Sequence, residues 1–113
     1  MKVNANLNDK VLTVTLEGEI DMSSSGSVWE AIAQFIEGKK PKAKACVVDL
    51  SRVSYMDSSG IATLVRTWQA TKKNGGKMRL AALSAPVKDV FELAHVSEIF
   101  EIFPTVEAAL AGI

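Results

Sequence analysis

Four consecutive residues, Asp57-Ser58-Ser59-Gly60, join a carboxylate, two hydroxyls and a glycine at a point where the hydrophobic pattern changes. The preceding run, residues 45–50, is short and apolar, which favours a strand covered on both faces. The following residues carry apolar side chains at i, i+3, i+4 and i+7, the stripe of an amphipathic helix. This stripe consists of Ile61, Leu64, Val65 and Trp68. The sequence therefore predicts that both serines lie at a helix N-terminus, where free backbone N–H groups accept oxygen ligands.

A serine at such a position is well placed to be phosphorylated, because the free N–H groups and the helix dipole stabilise a phosphate. Phosphorylation adds about −1.5 to −2 charge and three acceptor oxygens, here beside Asp57. On a surface that docks a partner, an unpaired charge costs about 3–4 kcal/mol. Binding then weakens by roughly a few hundredfold, which is enough for an on/off switch.

Two other interpretations of the motif stay open on these residues alone. Asp57 and the serines could simply cap a helix, with Gly60 easing the packing. Nucleophilic catalysis by Ser58 or Ser59 would need a general base, and the chain has one histidine, His95. The Gly-x-Ser-x-Gly pattern of a nucleophile elbow is absent, since residue 56 is methionine. We therefore expect no catalytic residues.

Opposite charges balance across the 113 residues, with 13 basic and 13 acidic side chains. Without a net charge the chain does not gather nucleic acid or anionic lipid, so we expect no nucleic-acid binding and no direct membrane insertion. The N-terminal residues lack an apolar signal region, and no apolar run approaches the length of a membrane span. We therefore expect a soluble cytoplasmic protein.

The spacing of the residues does not indicate a metal site or a cofactor site. No Cys/His cluster has metal-ligand spacing, and Gly75-Gly76-Lys77 lacks the pattern of a phosphate loop. Cys46 is the only cysteine and lies in an apolar run, which favours a buried, inert thiol. A short basic run is interpreted as a solvated loop and consists of Lys39, Lys40, Lys42 and Lys44. We predict no cofactor and no metal site.

Hydrophobic periodicity predicts strands that alternate with helices. Residues 11–16 alternate as a strand that Gly18 and Asp21 break, and the serines at 23–25 offer N-caps for a helix that stops at Gly38. In the second half, residues 77–83 alternate again, and Ser84 can cap a third helix.

A short strand over residues 99–103 and a helix from Pro104 through Leu110 complete the pattern. The order is β-β-α-β-α-β-α-β-α if residues 1–7 add a strand, and strands separated by helices pair mostly in parallel. We predict one domain, residues 1–113, of the α/β class, in which a small mixed, mostly parallel β-sheet packs with about four α-helices.

The chain resembles a STAS domain of the anti-sigma factor antagonist type over nearly its whole length. The strongest mark is the run from Met56 to Gly60 after Asp49-Leu50-Ser51. Further marks are Gly18-Glu19-Ile20-Asp21, Gly75-Gly76 before a strand, and Ser84-Ala85-Pro86-Val87 at a helix start.

The resemblance implies a STAS-domain fold and a partner-switching cycle. Such a protein, when unphosphorylated, binds an anti-sigma factor that is also a serine kinase of the histidine-kinase-like ATPase type. That kinase, which holds the ATP and Mg²⁺, phosphorylates the first motif serine, here Ser58, and the complex dissociates. A PP2C-type phosphatase restores the serine.

By the same resemblance, a partner-binding surface is expected around the acceptor. Its predicted residues are Asp21, Ser23, Asp57, Ser58, Ser59 and Gly60. Related domains also serve as constitutive assembly subunits of transporters or signalling scaffolds, some without phosphorylation, and that is the alternative function.

Overall fold

The computed structural model describes residues 1–37 and 43–113. Over these residues the chain forms β1 (Lys2–Asn8), β2 (Val11–Ile20), α1 (Ser25–Ile36), β3 (Ala45–Met56), α2 (Ser58–Lys73), β4 (Lys77–Ala81), α3 (Ala85–Leu93), β5 (Glu101–Phe103) and α4 (Val106–Leu110). The strands form one sheet in the order β1-β2-β3-β4-β5. β1 pairs antiparallel with β2, and every other pairing is parallel. The predicted class, element order and mostly parallel sheet are confirmed.

The helices cover the two faces of the sheet unequally. Buried side chains of α1, α2 and α3 join those of the sheet in one large core, to which Ile32, Leu64 and Phe91 belong. A smaller cluster on α4 and the sheet contains Val47, Ala81 and Ala109. The described part of the chain has no helix long and apolar enough to cross a membrane.

β2 shows the predicted alternation, and of the two predicted break points Asp21 ends the strand but Gly18 does not. Leu12, Val14 and Leu16 are buried, whereas the intervening side chains are partly exposed. The strand does not break at Gly18 and continues to Ile20, still paired with β3. The register of the pairing shifts on either side of Gly18, whose φ is 115°. These irregularities accommodate the glycine conformation, and the pairing continues beyond it.

The buried face of α2 contains polar side chains in addition to the predicted apolar stripe. Ile61 and Leu64 are buried as predicted, but the other buried side chains on this helix include three threonines. These are Thr63, Thr67 and Thr71. Each hydroxyl donates to the carbonyl four residues earlier, at 3.0, 2.9 and 2.8 Å respectively. Because these bonds satisfy the hydroxyls, threonine can occupy a buried helix face that a polarity pattern assigns to solvent.

Two predicted strand boundaries are corrected: β4 ends at Ala81 rather than at residue 83, and β5 begins at Glu101 rather than at residue 99. The predicted stop at Gly38 lies outside the described residues. Ser84 stands at the N-cap position of α3 but donates its hydroxyl to the Val53 carbonyl at 2.8 Å. It therefore ties α3 to β3 instead of capping its own helix.

Cys46 is fully buried in the sheet, in agreement with its predicted place in an apolar strand. Burial raises the pKa of its thiol to about 12, because the thiolate would lose its solvation. The thiol therefore stays protonated, and unreactive, near neutral pH.

Candidate functional site

The site lies where β2 and β3 end side by side. Ile20 and Met56 are register partners in the parallel pairing, and the Asp57 N–H donates to the Ile20 carbonyl at 3.1 Å. Asp21 and Asp57 therefore leave the same edge of the sheet from neighbouring strands. This places the predicted docking residues of both segments close together.

Asp57 caps α2 with both its carboxylate and its carbonyl. Its Oδ1 accepts from the Ser59 N–H at 2.9 Å and also from the Ser59 hydroxyl. Its carbonyl accepts from the N–H groups of Gly60 and Ile61, at 3.1 and 3.2 Å. The predicted helix start is thus confirmed, and the Ser59 hydroxyl is occupied by the cap.

Ser58 differs from Ser59 in exposure and in bonding. Its side chain is exposed, and its hydroxyl forms no hydrogen bond with any residue that the structure describes. As the first residue of α2, it also carries one of the backbone N–H groups that have no partner inside a helix. Of the two serines, Ser58 alone presents a free, accessible hydroxyl.

Gly60 holds the helix start against both strand ends. A Cβ at this buried position would lie 2.5 Å from Met56 Cγ and 2.8 Å from Ile20 Cγ2. Both distances are far below van der Waals contact. Glycine is therefore required by close approach, and it fixes the start of α2, including Ser58, on the sheet.

The segment after β2 forms a second turn with the same hydrogen bonds. Asp21 Oδ1 accepts from the Ser23 N–H at 2.9 Å and from the Ser23 hydroxyl at 2.6 Å. Chiefly because of the Ser23 hydroxyl bond, and then the Ser23 N–H bond, the pKa of Asp21 lies below its usual value. Ser24, the N-cap residue of α1, makes no cap bond, and its hydroxyl instead donates to the Glu19 carbonyl at 3.0 Å.

Met22, between Asp21 and Ser23, was missed by the sequence analysis. Its side chain is 85% exposed at the tip of this second turn. The available signal in the sequence was a single apolar residue inside a polar turn. Methionine is a residue type that protein-binding surfaces often use, and here it lies in the turn next to the one that carries Ser58.

His95 does not join the serines. It follows α3 in a left-handed conformation, with φ of 57°, and its N–H donates to the Glu92 carbonyl at 3.2 Å. Its side chain is exposed, and among the residues described it makes no hydrogen bond to Ser58 or Ser59. Within residues 1–37 and 43–113 there is also no group of three or more His, Cys, Asp or Glu side chains that could hold a metal.

Comparison with known proteins identifies the family. The model of the STAS domain matches residues 2–109. The chain belongs to the STAS domain family. This STAS domain is 30% identical over 102 residues to the anti-sigma-B factor antagonist of Bacillus subtilis, a match that covers 90% of each chain.

Solved structures agree with this assignment. The crystal structure of an anti-sigma factor antagonist from Mycobacterium paratuberculosis matches with a TM-score of 0.86 and 26% identity, over 99% of this chain and 92% of that one. A sulfate transporter family protein from Wolinella succinogenes matches with a TM-score of 0.77 and 16% identity, over 94% and 86% respectively. The second likeness shows the fold alone. The same fold is therefore present in proteins named for regulation and for transport.

The structure brings the six predicted site residues to one edge of the sheet. They are Asp21, Ser23, Asp57, Ser58, Ser59 and Gly60. Their roles as acceptor and docking residues stay predictions, and the geometry adds Met22 to them.

Proposed function

We propose that this STAS domain is an anti-sigma factor antagonist whose partner binding is controlled by phosphorylation of Ser58. The observation that carries the proposal is the difference between the two motif serines. Ser58 offers an exposed hydroxyl without a hydrogen bond, whereas the Ser59 hydroxyl is bound to Asp57. The antagonist names of the relatives supply the biological setting.

The partner is an anti-sigma factor that is also a serine kinase of the histidine-kinase-like ATPase type, acting in the cytoplasm. ATP and Mg²⁺ belong to that kinase, and this chain contributes only the acceptor. Ser58 Oγ loses its proton to the kinase and forms a bond to the γ-phosphorus of ATP, while ADP leaves. A PP2C-type phosphatase hydrolyses the phosphate ester and restores the serine, so this chain is a regulator and not an enzyme.

Phosphate on Ser58 acts on the interface and not on the fold. Asp57 bonds Ser59, so the cap of α2 stays intact when Ser58 is modified. The new charge lies at the N-terminus of a 16-residue helix, where the helix dipole stabilises it. On the surface facing the partner it stands beside Asp57 with no cation from this turn to pair it, so complex formation must desolvate an unpaired dianion.

The first prediction tests this switch with a charge placed at the acceptor. Ser58→Asp should weaken binding to the cognate kinase by about a hundredfold, and Ser58→Ala should keep the wild-type affinity. Asn6→Asp is the matched control, since it adds one negative charge at an exposed position on β1 and should leave the affinity unchanged. Calorimetric titration of the four proteins provides the comparison.

A second candidate function comes from the structural match to a sulfate transporter family protein, which has the same fold. There the domain would be a constitutive assembly subunit of a transporter or signalling scaffold. Ser58→Asp would then bind the partner as tightly as the wild type, and that result would reject the switch.

A further inference from the structure

A row of three lysines lies at the edge of the sheet opposite Ser58. Lys10 directly precedes β2, Lys44 directly precedes β3, and Lys77 is the first residue of β4. The Lys44 N–H donates to the Lys10 carbonyl at 2.7 Å, and the Lys77 N–H donates to the Lys44 carbonyl at 3.1 Å. These bonds hold the three backbones side by side, with adjacent strands about 4.7–4.9 Å apart.

Gly76 keeps this spacing tight. A Cβ at Gly76 would lie 2.8 Å from the Lys44 carbonyl oxygen, so only glycine allows the start of β4 to come so close to Lys44. Lys10 belongs to the two-residue turn between β1 and β2, in which Asp9 and Lys10 have φ of 50° and 66°. The turn and the glycine together fix the positions from which the three lysine side chains start.

The three lysines are not paired with acidic groups in the described part of the chain. All three are exposed, and none forms an ion pair with any described residue. Residues 38–42 read Gly-Lys-Lys-Pro-Lys and contain no acid that could pair with them. Like charges on neighbouring strands are destabilising, so an anion bound here would relieve the repulsion.

A cleft of about 650 Å³ opens at this row, a size typical of small-molecule sites. The three lysines line it, and Asp9 is the one acidic side chain among its described lining residues. Apolar contact is also available from Val11, Ala45, Leu110 and Ile113. The cleft thus combines a concentrated positive charge with an apolar wall.

We propose that this cleft binds a small organic anion that carries a phosphate group. The lysines hold the dianionic phosphate, and the apolar wall contacts the organic body. The 12-residue strand β3 runs from Ala45 in the cleft to Met56 beside the motif, so the ligand site and Ser58 occupy opposite ends of one strand. The proposal does not depend on phosphorylation of Ser58.

The test titrates the protein with 1-naphthyl phosphate, which has both a dianionic group and an apolar body, and follows backbone amides by NMR. In the wild type the largest shifts should fall on cleft residues, including Gly75 and Gly112, and not on the Ser58 turn. Inorganic phosphate and 1-naphthol should each bind at least about tenfold more weakly, because each supplies only half of the contacts.

Probe binding is compared between a variant that lacks the three lysine charges of the row and a variant that lacks three positive charges elsewhere. A triple variant with Lys10→Ala, Lys44→Ala and Lys77→Ala should bind 1-naphthyl phosphate at least about tenfold more weakly. The control triple variant replaces Lys2, Arg52 and Lys88 with alanine and loses the same charge outside the cleft. It should bind within about twofold of the wild type.

Equal weakening in both triple variants would overturn the proposal, since binding would then follow net charge alone. Shifts spread over the whole surface of the wild-type protein would also overturn it, independently of any variant. So would cosedimentation with phosphatidylglycerol vesicles by a protein that fails to bind the soluble probe, because the row would then serve a membrane surface.

Discussion

Two turns of the same design stand side by side at the ends of β2 and β3. In each, an aspartate Oδ1 accepts from the N–H and the hydroxyl of the serine two residues later. They differ in the residue between, which is Met22 in one and Ser58 in the other. The middle side chain is exposed in both turns, so it decides which group each turn offers to solvent: an apolar side chain at Met22 and a hydroxyl at Ser58.

The two turns also differ in how they connect to the next helix. Asp57 directly precedes α2 and caps it, and Gly60 locks that helix start onto Ile20 and Met56. The Asp21 turn ends before α1, whose N-cap residue makes no side-chain cap bond. We infer that the Asp57 turn is anchored to the core through the buried Gly60, whereas the Asp21 turn is a surface feature whose loss the fold tolerates.

The largest effect on stability is expected at Gly60. In Gly60→Ala the new Cβ would clash with the side chains of Met56 and Ile20. Overpacking of this kind lowers the free energy of unfolding by about 1–3 kcal/mol. Gly26→Ala in α1 is the matched control, since nothing lies within 4 Å of its Cβ position. There we expect a gain of roughly 0.5–1 kcal/mol, because alanine favours the helix. Urea unfolding measures both, and a Gly60→Ala protein as stable as the wild type would contradict the close packing.

A smaller loss is expected when the two aspartates are compared. Asp57→Ala removes the cap of α2 and should lower the free energy of unfolding by about 1 kcal/mol. Asp21→Ala breaks the corresponding bonds at the surface turn and should cost less. The same urea measurement applies, and an equal or larger loss for Asp21→Ala would show that the two turns contribute alike.

The smallest effect is a pH dependence at the Asp21 turn. Because the folded-state pKa of Asp21 is lowered, its carboxylate contributes stability that is fully present above the unfolded pKa of about 3.9. This contribution is lost as the pH falls through the folded pKa. Asp21→Asn should therefore be less stable than the wild type at pH 7 and approach it in acid, as thermal unfolding at several pH values can show. A stability difference that grows in acid would have the wrong sign.

Local patterns were sufficient for most elements and for the position of the motif. The alternation in β2 and the apolar stripes predicted the correct element types, and Asp57 was recognised as the residue at a helix start. The pattern could not show that β2 continues past Gly18, because that depends on pairing with β3. The buried face of Thr63, Thr67 and Thr71 depends on hydrogen bonds to the helix backbone, which polarity alone does not indicate.

The sequence indicated which residues would lie near the motif, but it did not show how they bond to one another. The two motif serines are equivalent as residue types, and the resemblance alone separated them. The hydrogen bond from Ser59 to Asp57 now supplies a physical reason for that separation. Met22 was missed because its significance arises only when the two turns are seen at the same sheet edge.

Phosphate transfer to the two single-serine variants tests the central claim most directly. Wild type, Ser58→Ala and Ser59→Ala are incubated with the cognate kinase and ATP, and the number of added phosphates is read from the intact mass. We predict one phosphate on the wild type, one on Ser59→Ala and none on Ser58→Ala. A phosphate on Ser58→Ala, or its absence from Ser59→Ala but not from the wild type, would contradict the assignment of Ser58 as the acceptor.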